Sequence, residues 1–331
     1  MSPLKIGVVG TGKVACANYL PCLAAEPDVS IGYYNRTRAS AEACAAQFGG
    51  QVFDTAGDLL RWEPDAVLVL TLETQRLDAA RALLAHKPRR VFFEKPLVAA
   101  RGQENVSEQD FLDGRAILRE ADAIGCESAM VFNYRFFEHS LLAKRLIAER
   151  GFGAVRNVTG LVHYACWSHA IDLVHDFAGP IATVSALEGG ALRSQGNFAA
   201  RDVTAAFRTA GDATGTLIGT AALAWTFPLF DLTFNFEHGR IRMQDLDGEM
   251  TVMDARGRET QTFRIAADCS RWDQYNDSFK KSLRAYLQTV REGQPPPVPG
   301  HFGALELQVE AGIKRSIASG APVTLDEAFP L

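Results

Sequence analysis

Two short clusters in this 331-residue sequence have the residue types and spacing to do chemistry. Gly10-Thr11-Gly12-Lys13-Val14-Ala15 ends the apolar run Ile6-Gly7-Val8-Val9, and Glu94-Lys95-Pro96 ends the apolar run Val91-Phe92-Phe93. A glycine pair after a buried strand lets the backbone come close to a pyrophosphate. The helix that follows aims its N–H groups and positive dipole end at that anion. Gly10, Thr11, Gly12, Lys13 and Val14 are therefore expected to hold a dinucleotide. A lysine at the carboxyl end of a later strand lies on the same rim of the sheet, where open α/β folds bind ligands. A cradle and a charged group on one rim suggest an enzyme.

The end of the second apolar run decides which dinucleotide. Folds selective for NAD usually carry Asp or Glu there to bind the ribose 2′-OH, whereas an arginine accommodates the 2′-phosphate of NADP. This sequence has Asn35-Arg36-Thr37-Arg38, with no carboxylate and two guanidinium groups. A planar, permanently charged fork suits phosphate oxygens, and Asn35 and Thr37 are neutral donors. NADP is the expected cofactor. The alternative is that Arg36 only stacks on the adenine and NAD serves as well.

The elements that must position these residues alternate. Strands are expected over 4–9, 29–34, 65–70, 91–93 and 128–132, with helices over 12–26 (kinked at Pro21), 40–48, 76–86 and 110–124. Strands and helices alternating at this pace indicate βαβ units and a parallel sheet. After about residue 130 the pattern changes. Phe230 to Glu237 alternates apolar with polar, a strand with one buried face, and His238-Gly239 and Asp247-Gly248 read as hairpin turns. Further strands are expected over 154–163, 181–188, 201–208 and 213–222, with helices over 141–150, 169–177, 276–292 and 304–319. The fold class is α/β: a Rossmann domain over 1–130, then an α+β domain over 131–331 on a mostly antiparallel, open-faced sheet.

Bulk properties narrow the function classes. A hydrophobic content of 47% supports sizeable cores, and a formal charge of −5 leaves no basic footprint for nucleic acid. No apolar run approaches the length needed to span a bilayer, and no charged-then-apolar leader opens the sequence. A cytoplasmic enzyme without membrane or nucleic-acid partners is expected. Cys16, Cys22, Cys44, Cys126, Cys166 and Cys269 form no Cys-x-x-Cys pair, which favours reduced thiols. Cys166 reads as a small packing residue or a nucleophile.

Gly10 to Ala15, Glu94-Lys95-Pro96, Asn133-Tyr134-Arg135-Phe136, His169-Ala170-Ile171-Asp172 and the stretch from Phe279 to Leu325 together resemble the Gfo/Idh/MocA family of NAD(P)-dependent oxidoreductases. The resemblance implies that Lys95 lies near the nicotinamide and the substrate's reacting oxygen, with Glu94 as its orienting partner. There it would stabilise a developing alkoxide and move its proton; a structural lysine paired with Glu94 is the alternative. The resemblance also implies that Thr71 and Leu72 line the cofactor, although Leu72, Glu73 and Arg76 stand where the family usually has proline, asparagine and histidine. His169 and Asp172, three apart on one helix side, would face the substrate, with His169 as the second acid/base group. Tyr134, Arg135 and Trp167 would shape the pocket. The family's usual aspartate four residues before that histidine is Ala165 here, so His163 or Tyr164 would substitute, or Lys95 would work more independently.

A metal site is not expected, because His175 lies roughly 120° around the helix from His169. The sequence thus reads as an oxidoreductase moving hydride between nicotinamide C4 and a carbinol or carbonyl carbon of a sugar, cyclitol or related ketone. An NAD-dependent glycoside hydrolase of the same fold, or a dinucleotide sensor without catalysis, are the alternatives. The resemblance further implies a homodimer or homotetramer built through the open sheet.

Overall fold

Ile6, Val8 and Val9 are almost completely buried because their strand runs through the interior of a parallel sheet. The computed structural model describes residues 3–266 and 268–331, which divide into two units. The first is built on β1 (Leu4–Val9), β2 (Val29–Tyr34), β3 (Gln51–Val52), β4 (Ala66–Val69), β5 (Arg90–Phe93) and β6 (Glu127–Met130). All pair in parallel, in the order β3-β2-β1-β4-β5-β6. The order reverses between β1 and β4, and open α/β sheets form their ligand crevice beyond the carboxyl ends at such a point.

The helices of this unit are α1 (Leu20–Ala24), α2 (Arg38–Phe48), α3 (Ala56–Arg61), α4 (Arg76–Leu84) and α5 (Glu108–Ala123). The expected kink at Pro21 takes another form. A π turn occupies Ala15–Tyr19, directly before α1, and Pro21 follows it at the second residue of α1. The sequence reading lacks β3 and α3. Each is too short for periodicity, and α3 is specified by a cap, the Thr55 hydroxyl accepting from Asp58 N at 3.0 Å.

The second unit contains α6 (Glu138–Arg150), β7 (Val155–His163) and α7 (Trp167–Ala178). They are followed by β8 (Ile181–Gln195), β9 (Phe198–Thr209), β10 (Thr214–Thr220), β11 (Phe230–Phe236), β12 (Gly239–Gln244), β13 (Met250–Asp254) and β14 (Glu259–Phe263). Two long helices, α8 (Arg271–Glu292) and α9 (His301–Ser319), precede β15 (Val323–Thr324) and α10 (Leu325–Ala328). The nine strands run in the order β14-β13-β12-β11-β7-β10-β9-β8-β15, antiparallel except for β7 beside β10. Phe230, Leu232, Phe234 and Phe236 are buried, while Asp231, Thr233 and Asn235 are partly open, as period two requires. Beyond Glu188, β8 continues with β9 as a ribbon whose residues are largely exposed. With neither face covered, its sequence shows no alternation.

The division of the chain departs from the expected boundary at 130. The first unit comprises residues 1–102, 109–132 and 279–307, and the second the remainder. The reason lies in α8 beyond Phe279, whose aromatic residues belong to the first unit's core. Tyr286 stacks on Phe92 at 4.3 Å and Phe279 meets Tyr19 edge-on at 5.2 Å. Arg291 pairs with Asp28 and Glu26. Among the described residues no helix is long and apolar enough to cross a membrane.

Candidate functional site

The rim of the first sheet gathers the residues that follow β1, β2, β4 and β5. Gly10 has φ of 95°, and a Cβ there would lie 2.6 Å from the backbone N of Thr71. Only glycine permits that approach. Gly12 is different: a Cβ would meet nothing within 4 Å, so this glycine leaves clearance above the loop rather than packing beneath it. Thr11 N donates to Asn35 Oδ1 at 3.2 Å, and Asn35 Nδ2 donates to Thr37 O at 2.9 Å. Asn35 thus braces the glycine loop against the turn after β2. The Thr11 hydroxyl is buried without a hydrogen bond of ordinary geometry, although the Cys44 thiol lies close enough to feel it.

Arg36 and Arg38 have different surroundings. Arg38 pairs with Glu42 at 2.8 Å and with Asp54. Arg36, Thr37 and Lys13 are exposed, and among the described residues no ion pair or hydrogen bond engages the Arg36 side chain. Val14 and Leu72 turn apolar side chains outward, Leu72 with 63% of its surface open. An extended dinucleotide fits this rim: open space over Gly12, an unsatisfied hydroxyl at Thr11, a cation at Arg36 and apolar surface at Val14 and Leu72.

Glu94 is buried beneath the rim. Tyr19 Oη donates to its Oε1 at 2.7 Å, and Lys95 backbone N donates to its Oε2 at 2.8 Å. Arg76, also buried, donates to Thr71 O at 2.6 Å and to Pro96 O. Burial lowers the Arg76 pKa, while Glu94 and Glu73 pull it back. Lys95 follows half-buried. Tyr19 and Arg76 are site residues that sequence reasoning missed. Neither belongs to a pattern, and only Arg76's departure from the usual family histidine marked its position.

In the second unit, the turn Asn133–Phe136 and α7 bring together most of the expected substrate residues. Tyr134 stacks almost parallel on His169, with centroids 3.9 Å apart at 4°. Tyr134 Oη lies 3.2 Å from Cys166 Sγ, and both are buried. Arg135 Nε donates to Asp172 Oδ2 at 2.8 Å and a second arm to Oδ1. Arg135 also pairs with Asp176 at 3.3 Å, and Asp176 with Lys144 at 2.6 Å.

Three of those residues therefore have other employment than the one expected. Arg135 and Asp172 satisfy each other in the interior, since a buried charge must be paired. Burial pushes the Asp172 carboxyl up to about 6, and the Arg135 fork holds it back from rising further. Trp167 offers no open face: it is 2% exposed and lies against Gly219 and Tyr164. His163 Nδ1 accepts from Ala165 N at 3.0 Å, which places its proton on Nε2, and Phe198 and Trp225 wall its ring. Burial lowers its pKa. Tyr164 donates to Arg201 O at 2.7 Å. His163 and Tyr164 are thus both committed to the fold. His175 is buried, its pKa lowered to about 3 by burial and Arg135, and among the described residues no cluster of His, Cys, Asp or Glu could hold a metal ion.

A six-stranded parallel sheet with a glycine loop at its switch point is the architecture of a Rossmann-type nucleotide-binding domain. Residues 4–110 match the Gfo/Idh/MocA family, described as an oxidoreductase family with an NAD-binding Rossmann fold. It is 27% identical over 321 residues to dTDP-3,4-didehydro-2,6-dideoxy-alpha-D-glucose 3-reductase of Actinomadura kijaniata, covering 89% of this chain and 90% of that protein. It is 24% identical over 161 residues to glucose-6-phosphate 3-dehydrogenase of Bacillus subtilis, spanning 48% of this chain and 42% of that protein. An oxidoreductase from Agrobacterium radiobacter, solved with NAD+, L-tartaric acid and magnesium, shares the fold with a TM-score of 0.80 at 16% identity, over 99% of this chain and all of that one.

If the buried fork locks the turn at Asn133–Phe136 to α7, removing Asp172 takes both short bonds from Arg135 and leaves it only the longer contact to Asp176, which Lys144 shares. Asp172→Ala is expected to cost about 3–5 kcal/mol of stability, the usual penalty for breaking a buried pair. Urea unfolding measures it. A loss within error of zero would mean that Asp176 alone compensates Arg135, and that the fork to Asp172 does not lock the turn.

Proposed function

We propose that this chain is an NADP-preferring oxidoreductase that moves hydride between the nicotinamide and a secondary alcohol or ketone carbon of a sugar. The observation that carries the reading is the shared rim: a cleared glycine loop, an exposed Arg36 and Lys95 all stand at the carboxyl ends of one parallel sheet. Gly10 to Val14 would hold the pyrophosphate, Asn35, Arg36 and Thr37 the adenosine ribose with its phosphate, and Thr71 and Leu72 the nicotinamide side. When bound, the nicotinamide supplies a hydride donor or acceptor. Lys95 would stabilise the alkoxide and carry its proton, the task for which a positioned ammonium is suited. His169, fixed by its stack on Tyr134, is the second acid/base candidate.

Both relatives are named for oxidation or reduction at the third carbon of a sugar, which is why the substrate is proposed as a sugar hydroxyl or its ketone. Six free thiols suit a cytoplasmic location. The second sheet supports a homo-oligomer. Leu161, Ile218 and Leu187 are exposed, and the strand register sets them in one row with Thr204 across β7, β10, β9 and β8. An apolar row on an open sheet face is a surface that a second copy would cover.

Arg36→Ala should weaken NADPH binding by about 1.5–3 kcal/mol, the scale of a charge-assisted contact, and leave NADH unchanged. Fluorescence titration of both nucleotides decides it; equal losses would remove Arg36 from the 2′-phosphate. Lys95→Ala, assayed against sugars and their 3-keto forms, should keep cofactor affinity and lose roughly 10²–10⁴-fold in turnover. Near-normal turnover would leave Lys95 a structural role, and glycoside cleavage without net cofactor turnover would sink the dehydrogenase reading. Light scattering at micromolar concentration should give at least twice the 36.0 kDa chain mass. A single-chain mass across the range would refute the oligomer.

A further inference from the structure

Cys16 and Cys44 take no part in the chemistry above, yet their sulfur atoms lie 3.4 Å apart. Cys16 stands in the π turn directly after the glycine loop. Cys44 stands on α2, the helix that follows the Arg36 turn. Both thiols bear on one residue of the loop. Cys16 Sγ donates to Thr11 O at 3.7 Å, and the Cys44 thiol lies beside the Thr11 hydroxyl. Thr11 is in turn held by Asn35. The pair therefore sits under the phosphate cradle, between the two segments that would grip the dinucleotide's pyrophosphate and its 2′-phosphate.

From this juxtaposition we infer that Cys16 and Cys44 form a reversible disulfide when exposed to a peroxide, and that the bond weakens dinucleotide binding. The second half rests on the nucleotide-binding reading of the rim; the first does not. Cys16 is partly exposed and Cys44 is buried. Burial, with the Cys16 sulfur next to it, pushes the Cys44 thiol up to about 11, so Cys16 reacts first. Its thiolate attacks one peroxide oxygen, the O–O bond breaks, and the expelled hydroxide takes the proton that the thiol released and leaves as water, with a sulfenic acid on Cys16. The Cys44 sulfur then attacks Cys16 Sγ. The S–O bond breaks, and the departing hydroxide takes the Cys44 proton to leave as a second water. Two electrons pass from the two thiols to one peroxide.

A disulfide needs its sulfurs about 2.05 Å apart, so the gap must close by roughly 1.4 Å. Part of that closure falls on side-chain rotation and part on the π turn and α2. Thr11 is in contact with both sulfurs and moves with them. Reciprocity follows: whatever factor the disulfide takes from nucleotide affinity, bound nucleotide takes from the tendency to oxidise.

The test uses the whole chain, freed of reductant and treated with one equivalent of hydrogen peroxide. The linkage is read by non-reducing peptide mapping, and nucleotide affinity by titration with NADPH and NADH. The expected result is a Cys16–Cys44 peptide and a loss of affinity for both nucleotides of about tenfold or more, within the usual range of coupled sites. Dithiothreitol should restore affinity, and saturating NADPH should slow the linkage. Cys44→Ser should bind nucleotide as the reduced protein does and lose the response to peroxide; Cys16→Ala, at the more exposed position, should do the same if the buried variant folds poorly. A folded, oxidised protein without the linked peptide overturns the inference. So does linkage with unchanged affinity, or an equal loss in both variants. If the reduced protein binds neither nucleotide, the reading of the rim falls and the coupling with it, while the mapped peptide still decides the disulfide.

Discussion

The buried carboxylate of Glu94 is the interaction on which the rim depends. A carboxylate taken from water costs several kcal/mol unless hydrogen bonds and a counter-charge replace the solvent. Tyr19 supplies one donor from the helical run after the glycine loop, and the Lys95 backbone supplies another from the residue next in sequence. Arg76 supplies the nearby positive charge and spends its own donors on Thr71 O and Pro96 O. These contacts together cross-brace the first helical run, the end of β4 and the end of β5. The spacing of Glu-Lys-Pro acquires a physical sense from this: the glutamate is the anchor, the lysine is presented, and the proline carbonyl is the acceptor that closes the brace.

The second unit uses the same device in a different place. Every residue of α7 from Trp167 to His175 is buried, and a charge buried there needs a partner. Arg135 joins Asp172 and Asp176, and Lys144 closes the chain. The fork is directional, because two parallel N–H arms fit one carboxylate in one orientation. It fixes the turn carrying Tyr134 against the helix carrying His169, and the parallel stack of the two rings follows from that register. Arg135 and Asp172 are positioning residues for the pair that faces them.

How much of this was legible follows from the range of each signal. The glycine loop, the ends of β2 and β5 and the alternation along β11 are local patterns, and each is read within a few residues. Tyr19 reaches Glu94 across 75 positions, and Phe279 to Leu307 returns to a core begun at residue 4; no local pattern records a return of that length. The mutual contacts of Arg135 and Asp172 and the burial of Trp167 are hidden for a different reason. Polar and aromatic residues at helical spacing look alike in sequence whether they face a ligand or one another, and only the burial of α7 separates the two. The β8–β9 ribbon escaped because a strand covered on neither face has no period to show.

Selectivity and proton handling on the proposed reading come down to two substitutions of carboxylates by neutral groups. At Asn35 the amide is used in both directions, so it braces the loop and adds no negative charge near a 2′-phosphate. Arg38 is neutralised by Glu42 and Asp54, which leaves Arg36 and Lys13 as exposed positive charge beside the loop, adding to the dipole end of the helical run that follows. At Ala165 the loss acts the other way. A methyl group cannot accept or hold a proton, and the backbone N–H above it is taken by His163, whose remaining proton is directed into an aromatic enclosure. Tyr164 is likewise committed, to Arg201 O. On the proposed reading more of that work falls to Lys95, whose backbone N–H is tied to the buried Glu94 carboxylate.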